Sequence, residues 1–104
     1  MTDVYYNPEN FGLTKIAEME WSEPCYSFDM TVAWLDSEGK LYWSSDSGCS
    51  CPSPFEGQGL DGLSTGSFFD LDKEVQERLN DTYYKDYATR ESVDFLGAVR
   101  AATL

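Results

Sequence analysis

"YSFDMTVAWL", residues 26–35, carries the clearest structural pattern in this 104-residue chain. Its apolar side chains alternate with smaller or polar ones, and the apolar set is Tyr26, Phe28, Met30, Val32 and Trp34. Alternation with a period of two predicts a β-strand that has one strongly apolar face. Because burying each such side chain stabilises a fold by about 1.5–3 kcal/mol before entropy is counted, we expect this strand to form the centre of the core.

A tight turn and a second strand follow directly. The sequence Asp36-Ser37-Glu38-Gly39 predicts a type I turn closed by a glycine in the left-handed region. If Asp36 faces Lys40, the pairs across the hairpin are Leu35 with Leu41, Trp34 with Tyr42, and Ala33 with Trp43. In this register Trp34 and Tyr42 join the main apolar face, whereas Leu35, Leu41 and Trp43 lie on the opposite face. Two interpretations of Trp43 remain open at this stage: a cover formed by the long loop or the N-terminal segment, or an exposed contact patch.

The rest of the chain divides into four parts around this hairpin. Residues 1–12 are expected to be an irregular lead-in, and alternation over residues 13–21 predicts a strand with Leu13, Ala17, Met19 and Trp21 on one side. Antiparallel strands then cover residues 13–45, and residues 46–69 read as one long loop rich in Ser, Gly and Pro.

Residues 70–104 are predicted to be helical. Asp70 or Asp72 is expected to cap a first helix that ends near Asn80, and Thr89 is expected to cap the last one. On the first helix, Leu71, Val75 and Leu79 share the inner side, and Lys73/Glu77 and Glu74/Arg78 are spaced as ion pairs on the outer side.

These elements predict a single α+β domain over residues 1–104. In this architecture a small antiparallel sheet of about three strands packs its aromatic face against two C-terminal helices. The two helices are expected to lie on one face of the sheet only.

Charge is distributed unevenly along the chain. The protein has 19 acids, 7 bases and no histidine, which gives a net charge of −12. Residues 1–72 contain 13 of the acids and only Lys15 and Lys40, hence a net charge of −11. Such a field repels nucleic-acid backbones and anionic membranes, and it attracts basic protein surfaces. The acidic, polar N-terminus and the lack of a long apolar run predict a cytoplasmic protein without a secretory signal or a membrane span.

The three cysteines allow several interpretations. An odd number does not suit a disulfide framework, and a zinc site needs four ligands at recognised spacings. We therefore expect reduced, structural thiols and no cofactor. Two alternatives remain: a disulfide from Cys25 to Cys49 or Cys51, and a metal site built from Cys25, Cys49, Cys51 and Asp46.

Residues 21–56 carry a distinctive sequence in which Tyr42-Trp43 is followed by Asp-Ser-Gly-Cys-Ser-Cys-Pro-Ser-Pro-Phe-Glu, residues 46–56. This third of the chain resembles a group of small uncharacterised proteins encoded by actinobacteriophages. The resemblance implies a phage accessory protein that works in the host bacterial cell, and it assigns no catalytic residues.

Taken together, these features predict a non-enzymatic accessory protein. It is expected to bind the basic surface of a host or phage protein, such as the nucleic-acid-binding face of that partner. Direct nucleic-acid or membrane binding is not expected. The predicted contact residues are Tyr42, Trp43, Asp46, Phe55 and Glu56. A small metal-binding protein that uses the Cys-x-Cys loop, and a small enzyme, are the alternative functions.

Overall fold

The computed structural model of the chain describes residues 4–5, 7–21, 27–49, 62–81 and 85–103. A four-stranded antiparallel sheet with the order β1-β2-β3-β4 is followed by two helices, which confirms the α+β class. The elements are a 3-10 helix Pro8–Phe11, β1 Leu13–Glu20, β2 Ser27–Asp36, β3 Leu41–Cys49, β4 Ser64–Gly66, α1 Phe68–Asn80 and α2 Lys85–Thr103.

The segment expected to be one loop over residues 46–69 is shorter than predicted. β3 continues to Cys49, and the short strand β4 pairs with residues 41–43, which brings the strand count to four instead of about three. The helix α1 already begins at Phe68. Serine and glycine are poor indicators of strand, so the pairing with a neighbouring strand decides the structure here.

The predicted hairpin register is confirmed at every pair. Trp34 lies opposite Tyr42 and Ala33 opposite Trp43. Gly39 adopts a φ of +85°, and the Asp36 carboxylate accepts backbone hydrogen bonds from residues 38 and 40 at 2.9 and 2.8 Å. The turn residues are therefore sufficient to fix how the two strands pair.

The helices cover the face of the sheet opposite to the expected one. The helix face, which we define by Ala33, Leu41 and Trp43, packs against apolar residues of α1 and α2 such as Leu71 and Phe95. Met30, Val32 and Trp34 were expected to contact the helices, but they lie on the opposite face of the sheet, which we call the outer face. Their exposed fractions are 2%, 0% and 0%.

The N-terminal segment contributes the cover of that outer face. Val4 is fully buried in the same cluster, and Tyr5, Phe11 and Leu63 pack against it. The lead-in of residues 1–12, expected to be irregular, therefore contains core residues and a 3-10 helix. Both faces of the sheet are buried because both carry apolar side chains that gain free energy when removed from water.

A β-bulge in β1 changes which of its residues share a face. The register shifts between Lys15 and Ala17, which leaves Ile16 without a partner in β2. As a consequence Leu13 joins the outer cluster, whereas Met19 and Trp21 join the helix-face cluster. The prediction that all three lie on one side was wrong, because an extra residue in one strand inverts the alternation beyond it.

The helices differ from prediction mainly at their N-termini. Ser67, not Asp70 or Asp72, caps α1, and Asp70 completes a capping box with it. α2 begins at Lys85, so Thr89 lies inside the helix. The predicted inner side of α1 is confirmed, since Leu71, Val75 and Leu79 are buried. In the part of the chain that the structure describes, no helix is long and apolar enough to cross a membrane.

Candidate functional site

The predicted contact residue Trp43 is a core residue. Only 4% of it is exposed, and its indole N–H donates a 2.8 Å hydrogen bond to Glu74 Oε2 on α1. The interpretation of Trp43 as an exposed contact patch is therefore wrong, and its described cover comes from the helices, which were not the cover expected. Because the indole faces the protein interior, Trp43 is not available as an exposed anchor for a partner.

The other predicted contact residues are separated from one another. Tyr42 and Asp46 are half-buried, and Tyr42 packs against the outer cluster, where the Lys40 ammonium lies 5.5 Å from the centre of its ring. Asp46 pairs across the sheet with Met30 of the same face. Phe55 and Glu56 lie outside the described residues.

The cysteine predictions fall largely outside the described parts. Cys25 and Cys51 are not among the described residues, and the backbone of Cys49 ends β3 opposite Ser27. Among the described residues, no three His, Cys, Asp or Glu side chains are grouped closely enough to hold a metal ion. The metal site and the disulfide both stay predictions.

A groove opens between α1 and the helix face of the sheet, bordered by the Glu74 side chain that bonds to the buried Trp43. Its volume is about 210 Å³. It is smaller than the roughly 300–1,000 Å³ of sites that enclose drug-sized ligands, so it suits one or two side chains or a short segment of chain. The groove is lined by Trp21, Thr31, Ser44, Ser45, Ser64, Glu74, Val75 and Arg78.

A chain of hydrogen bonds forms the floor of this groove. The Trp21 indole N–H donates to Thr31 Oγ1 at 2.7 Å, and Thr31 Oγ1 lies 2.6 Å from Ser45 Oγ. Thr31 is only 2% exposed and already accepts from Trp21, so its own hydrogen is best satisfied by donation to Ser45. Ser45 Oγ is then the acceptor of this bond.

Arg78 forms one wall of the groove and is neutralised locally. Its Nη2 atom lies 2.6 Å from both carboxylate oxygens of Asp29, and its guanidinium lies 4.4 Å from the centre of the Trp21 ring. The expected ion pair between Glu74 and Arg78 does not form, since Glu74 bonds to Trp43. The structure therefore uses both side chains for tertiary contacts instead of helix surface pairs.

Four acids of α1 and its C-cap share one side of the helix, and Glu74 among them lines the groove. We call them the acidic stripe: Asp70, Glu74, Glu77 and Asp81. They are spaced at i, i+4, i+7 and i+11, which places them on one side of the helix, and all four are exposed. Asp70 and Glu74 lie towards β3 and β4, because one bonds to Ser67 and the other to Trp43. None of the four forms an ion pair within the described residues.

A second acidic group lies at the end of β1. Partial burial raises the pKa of Glu20, and the nearby carboxylates of Glu18, Glu91 and Asp29 add to this effect, whereas a hydrogen bond from the Asp29 backbone opposes it. The Oε2 atom of Glu20 is buried and has no hydrogen-bond partner among the described residues. This carboxylate is therefore held in an environment that favours its protonated form.

This environment predicts a pH-dependent loss of stability. The folded state binds the Glu20 proton more tightly than the unfolded state, so the contribution of Glu20 to the unfolding free energy should fall as the pH rises above about 4.5. A Glu20→Gln variant lacks the charge, and its stability advantage over the wild-type protein should grow across the same interval and then level off. Urea denaturation at a series of pH values measures this difference. Glu38→Gln, at the exposed turn, controls for the loss of one negative charge, and equal pH profiles for the two variants would contradict the prediction.

Residues 2–102 match a family model described as Domain of unknown function (DUF7574). The chain belongs to this family. The expectation that the chain belongs to a family of uncharacterised proteins is thereby confirmed, and the match covers nearly all of the chain. Neither the curated proteins nor the solved structures contain a match to the chain.

Sequence reasoning missed the residues that build the groove of this DUF7574 domain. Asp29 and Thr31 were assigned only to the weaker side of the central strand, and Arg78 to the solvent side of a helix. Arg78 and Asp29 are 49 positions apart, so no local pattern connects them. The one signal available was the presence of two polar residues in a strand whose other positions are almost all apolar, which is typical of a buried hydrogen-bonding network.

Proposed function

We propose that this DUF7574 domain is a non-enzymatic accessory protein, encoded by a bacteriophage, that binds a basic protein surface in the cytoplasm of the host. The acidic stripe on α1 is the observation that carries the proposal. Four exposed carboxylates spaced along about three turns of helix present a linear negative surface, which complements a basic partner and steers its approach.

The local charge balance supports this assignment to α1. Arg78, the cation closest to the groove, is paired with Asp29, and Lys15 is paired with Glu18 at 2.7 Å. Because these two cations are paired elsewhere, they do not neutralise the negative charge of the acidic stripe. The whole chain carries a net charge of −12. The phage origin rests on the sequence from Tyr42 to Glu56, and a nucleic-acid-binding protein of the host is one partner with suitable charge.

Neutralising the stripe tests the proposal. A Glu74→Gln/Glu77→Gln/Asp81→Asn variant should capture its partner from an actinobacterial lysate about tenfold less well, because three attractive charges are removed from the contact. Quantitative mass spectrometry of the captured proteins, at low salt and at ~0.5 M salt, measures the effect. Asp70 is left unchanged because it completes the helix cap.

A matched variant separates the stripe from overall charge. Glu9→Gln/Glu38→Gln/Asp94→Asn also removes three negative charges at exposed positions, all of them outside the stripe. This control should retain capture close to that of the wild-type protein. Equal losses in the two variants, or capture that is indifferent to salt, would overturn the proposal.

A further inference from the structure

We propose that the outward side of α2 pairs with the same side of a second copy of this chain, as an antiparallel helix pair with a two-fold axis at Val93. The inference goes beyond the proposed function and uses a different surface from the acidic stripe. Its basis is a pattern of charge on α2 that complements itself when the helix is turned end for end.

The inner side of α2 is filled by residues that pack on the rest of the domain. These buried residues are spaced at i, i+4, i+7 and i+11, and they are Ala88, Ser92, Phe95 and Val99. Val93 lies away from them and is 66% exposed. Single exposed valines are common on protein surfaces, so the argument depends on the residues that share its side of the helix.

Asp86 and Arg100 flank Val93 on that side. Each is seven positions from Val93, and both are exposed. Because seven residues make nearly two turns, with a drift of about 20° per heptad, the three side chains form one line about 21 Å long. The Arg100 guanidinium lies 5.8 Å from the centre of the Phe68 ring on α1, which restricts its orientation.

A second copy turned end for end presents the complement of this line. Around a two-fold axis at Val93, each residue faces the residue that is equally far from Val93 in the other direction. Asp86 then lies opposite Arg100 of the second copy, Arg100 lies opposite Asp86, and the two valines meet at the axis. A parallel pair in register would set acid against acid and base against base, so the charges select the antiparallel arrangement.

The residues one turn from Val93 suit the close approach of two helices. Thr89 and Gly97 are both exposed and both four positions from Val93, so Thr89 falls at the same height as Gly97 of the second copy. Beyond the neighbouring helix backbone, no heavy atom of the described chain lies within 4 Å of the place where a Cβ of Gly97 would be. A glycine opposite a threonine leaves room for that side chain between the helices.

The charge of α2 suits self-association better than that of the chain as a whole. α2 contains three bases and three acids, whereas the chain carries a net charge of −12. At about 0.15 M salt, repulsion between distant carboxylates is screened beyond roughly 8 Å, so the charges that meet at α2 decide the contact. α2 packs on α1 and β1, whereas Glu74 of the acidic stripe bonds to β3, so the two surfaces are separate.

Reversing either end of the line tests the pairing. Asp86→Lys makes both ends basic and Arg100→Glu makes both ends acidic, so neither variant complements itself. Each should need about tenfold higher protein concentration than the wild-type chain to reach half dimer. Because a contact of one helix is small, sedimentation velocity should cover about 10 µM to about 1 mM. Glu38→Lys, at the exposed hairpin turn, controls for overall charge and should dimerise at least as readily as the wild-type chain.

Mixing the two reversed variants tests the antiparallel register directly. In an equimolar mixture the new lysine faces the new glutamate, and the native Arg100 faces the native Asp86. Heterodimers should therefore form at about the concentration at which the wild-type chain dimerises. A contact elsewhere on the molecule gives no such recovery, because the mixture then contains the same surfaces as its components.

Three results would each overturn the pairing: a wild-type chain that stays monomeric throughout, reversed variants that dimerise like the wild-type chain, and a mixture that stays monomeric. Circular dichroism checks the fold of both variants, since each reversal opposes the helix dipole. If either fails to fold, Val93→Glu at the exposed axis position brings two like charges together and should weaken dimerisation about tenfold. Dimerisation of Val93→Glu at the wild-type concentration would likewise overturn it.

Discussion

Replacing Trp43 with alanine is expected to lower the unfolding free energy by about 3–5 kcal/mol. Trp43 is 4% exposed and lies in the cluster that joins the sheet to Leu71 and Val75 of α1. The substitution removes this buried area, leaves a cavity between the two layers and deprives Glu74 of its indole partner. Urea denaturation followed by far-ultraviolet circular dichroism measures the loss, and the dependence on urea should keep its slope.

Two further substitutions show where the effect arises. Trp43→Phe retains most of the buried area and removes only the hydrogen bond, so it should cost about 1–2 kcal/mol. Val93→Ala, at a residue that is 66% exposed on α2, should change the stability by less than about 0.5 kcal/mol. Equal unfolding free energies for Trp43→Ala and Val93→Ala would contradict the burial of the Trp43 indole.

Trp34→Ala is expected to cost a similar amount, about 3–5 kcal/mol, although Trp34 lies on the outer face of the sheet. The side chain is fully buried among Val4, Leu13 and Val32, with Tyr42 packed against the cluster. Its removal leaves a cavity within this cluster. Since a domain of this size is stabilised by about 5–15 kcal/mol in total, the milder Trp34→Phe provides a folded comparison if the alanine variant does not fold.

Together the two tryptophan variants test whether the sheet is buried on both faces. A sheet with one covered face would make one of the two substitutions nearly neutral, because an exposed side chain gains little free energy on folding. Large losses in both variants, combined with unchanged partner capture by Trp43→Phe, are the outcome that the structure predicts. The combination also separates the core role of Trp43 from the proposed contact on the acidic stripe.

Local features of this chain were predictable because each depends on residues close in sequence. The Asp36–Gly39 turn sets the hairpin register, and the 3.6-residue period of Leu71, Val75 and Leu79 sets the inner side of α1. The start of each helix was less predictable, because several neighbouring residues can serve as the cap. The bulge at Ile16 was not predictable, since an inserted residue leaves no mark in the alternation before it.

The candidate site was predictable only in its general character. The sequence indicated an acidic surface and a long loop after the hairpin, but it placed the contact on Tyr42, Trp43, Asp46, Phe55 and Glu56. The groove depends on pairs such as Arg78 with Asp29 and Glu74 with Trp43, which are 49 and 31 positions apart. Contacts of that range leave no periodic signal, because each partner satisfies its own local pattern without the other.

The sequence by itself determined an α+β domain with an apolar central strand, one hairpin register and a strongly negative charge. Only the tertiary structure decided which face of the sheet the helices cover. Alternation assigns side chains to two faces, but both faces of the sheet carry apolar side chains, and packing each against its own partner buries more surface than packing one alone. That choice buried Trp43 and turned Glu74 and Arg78 into walls of a groove.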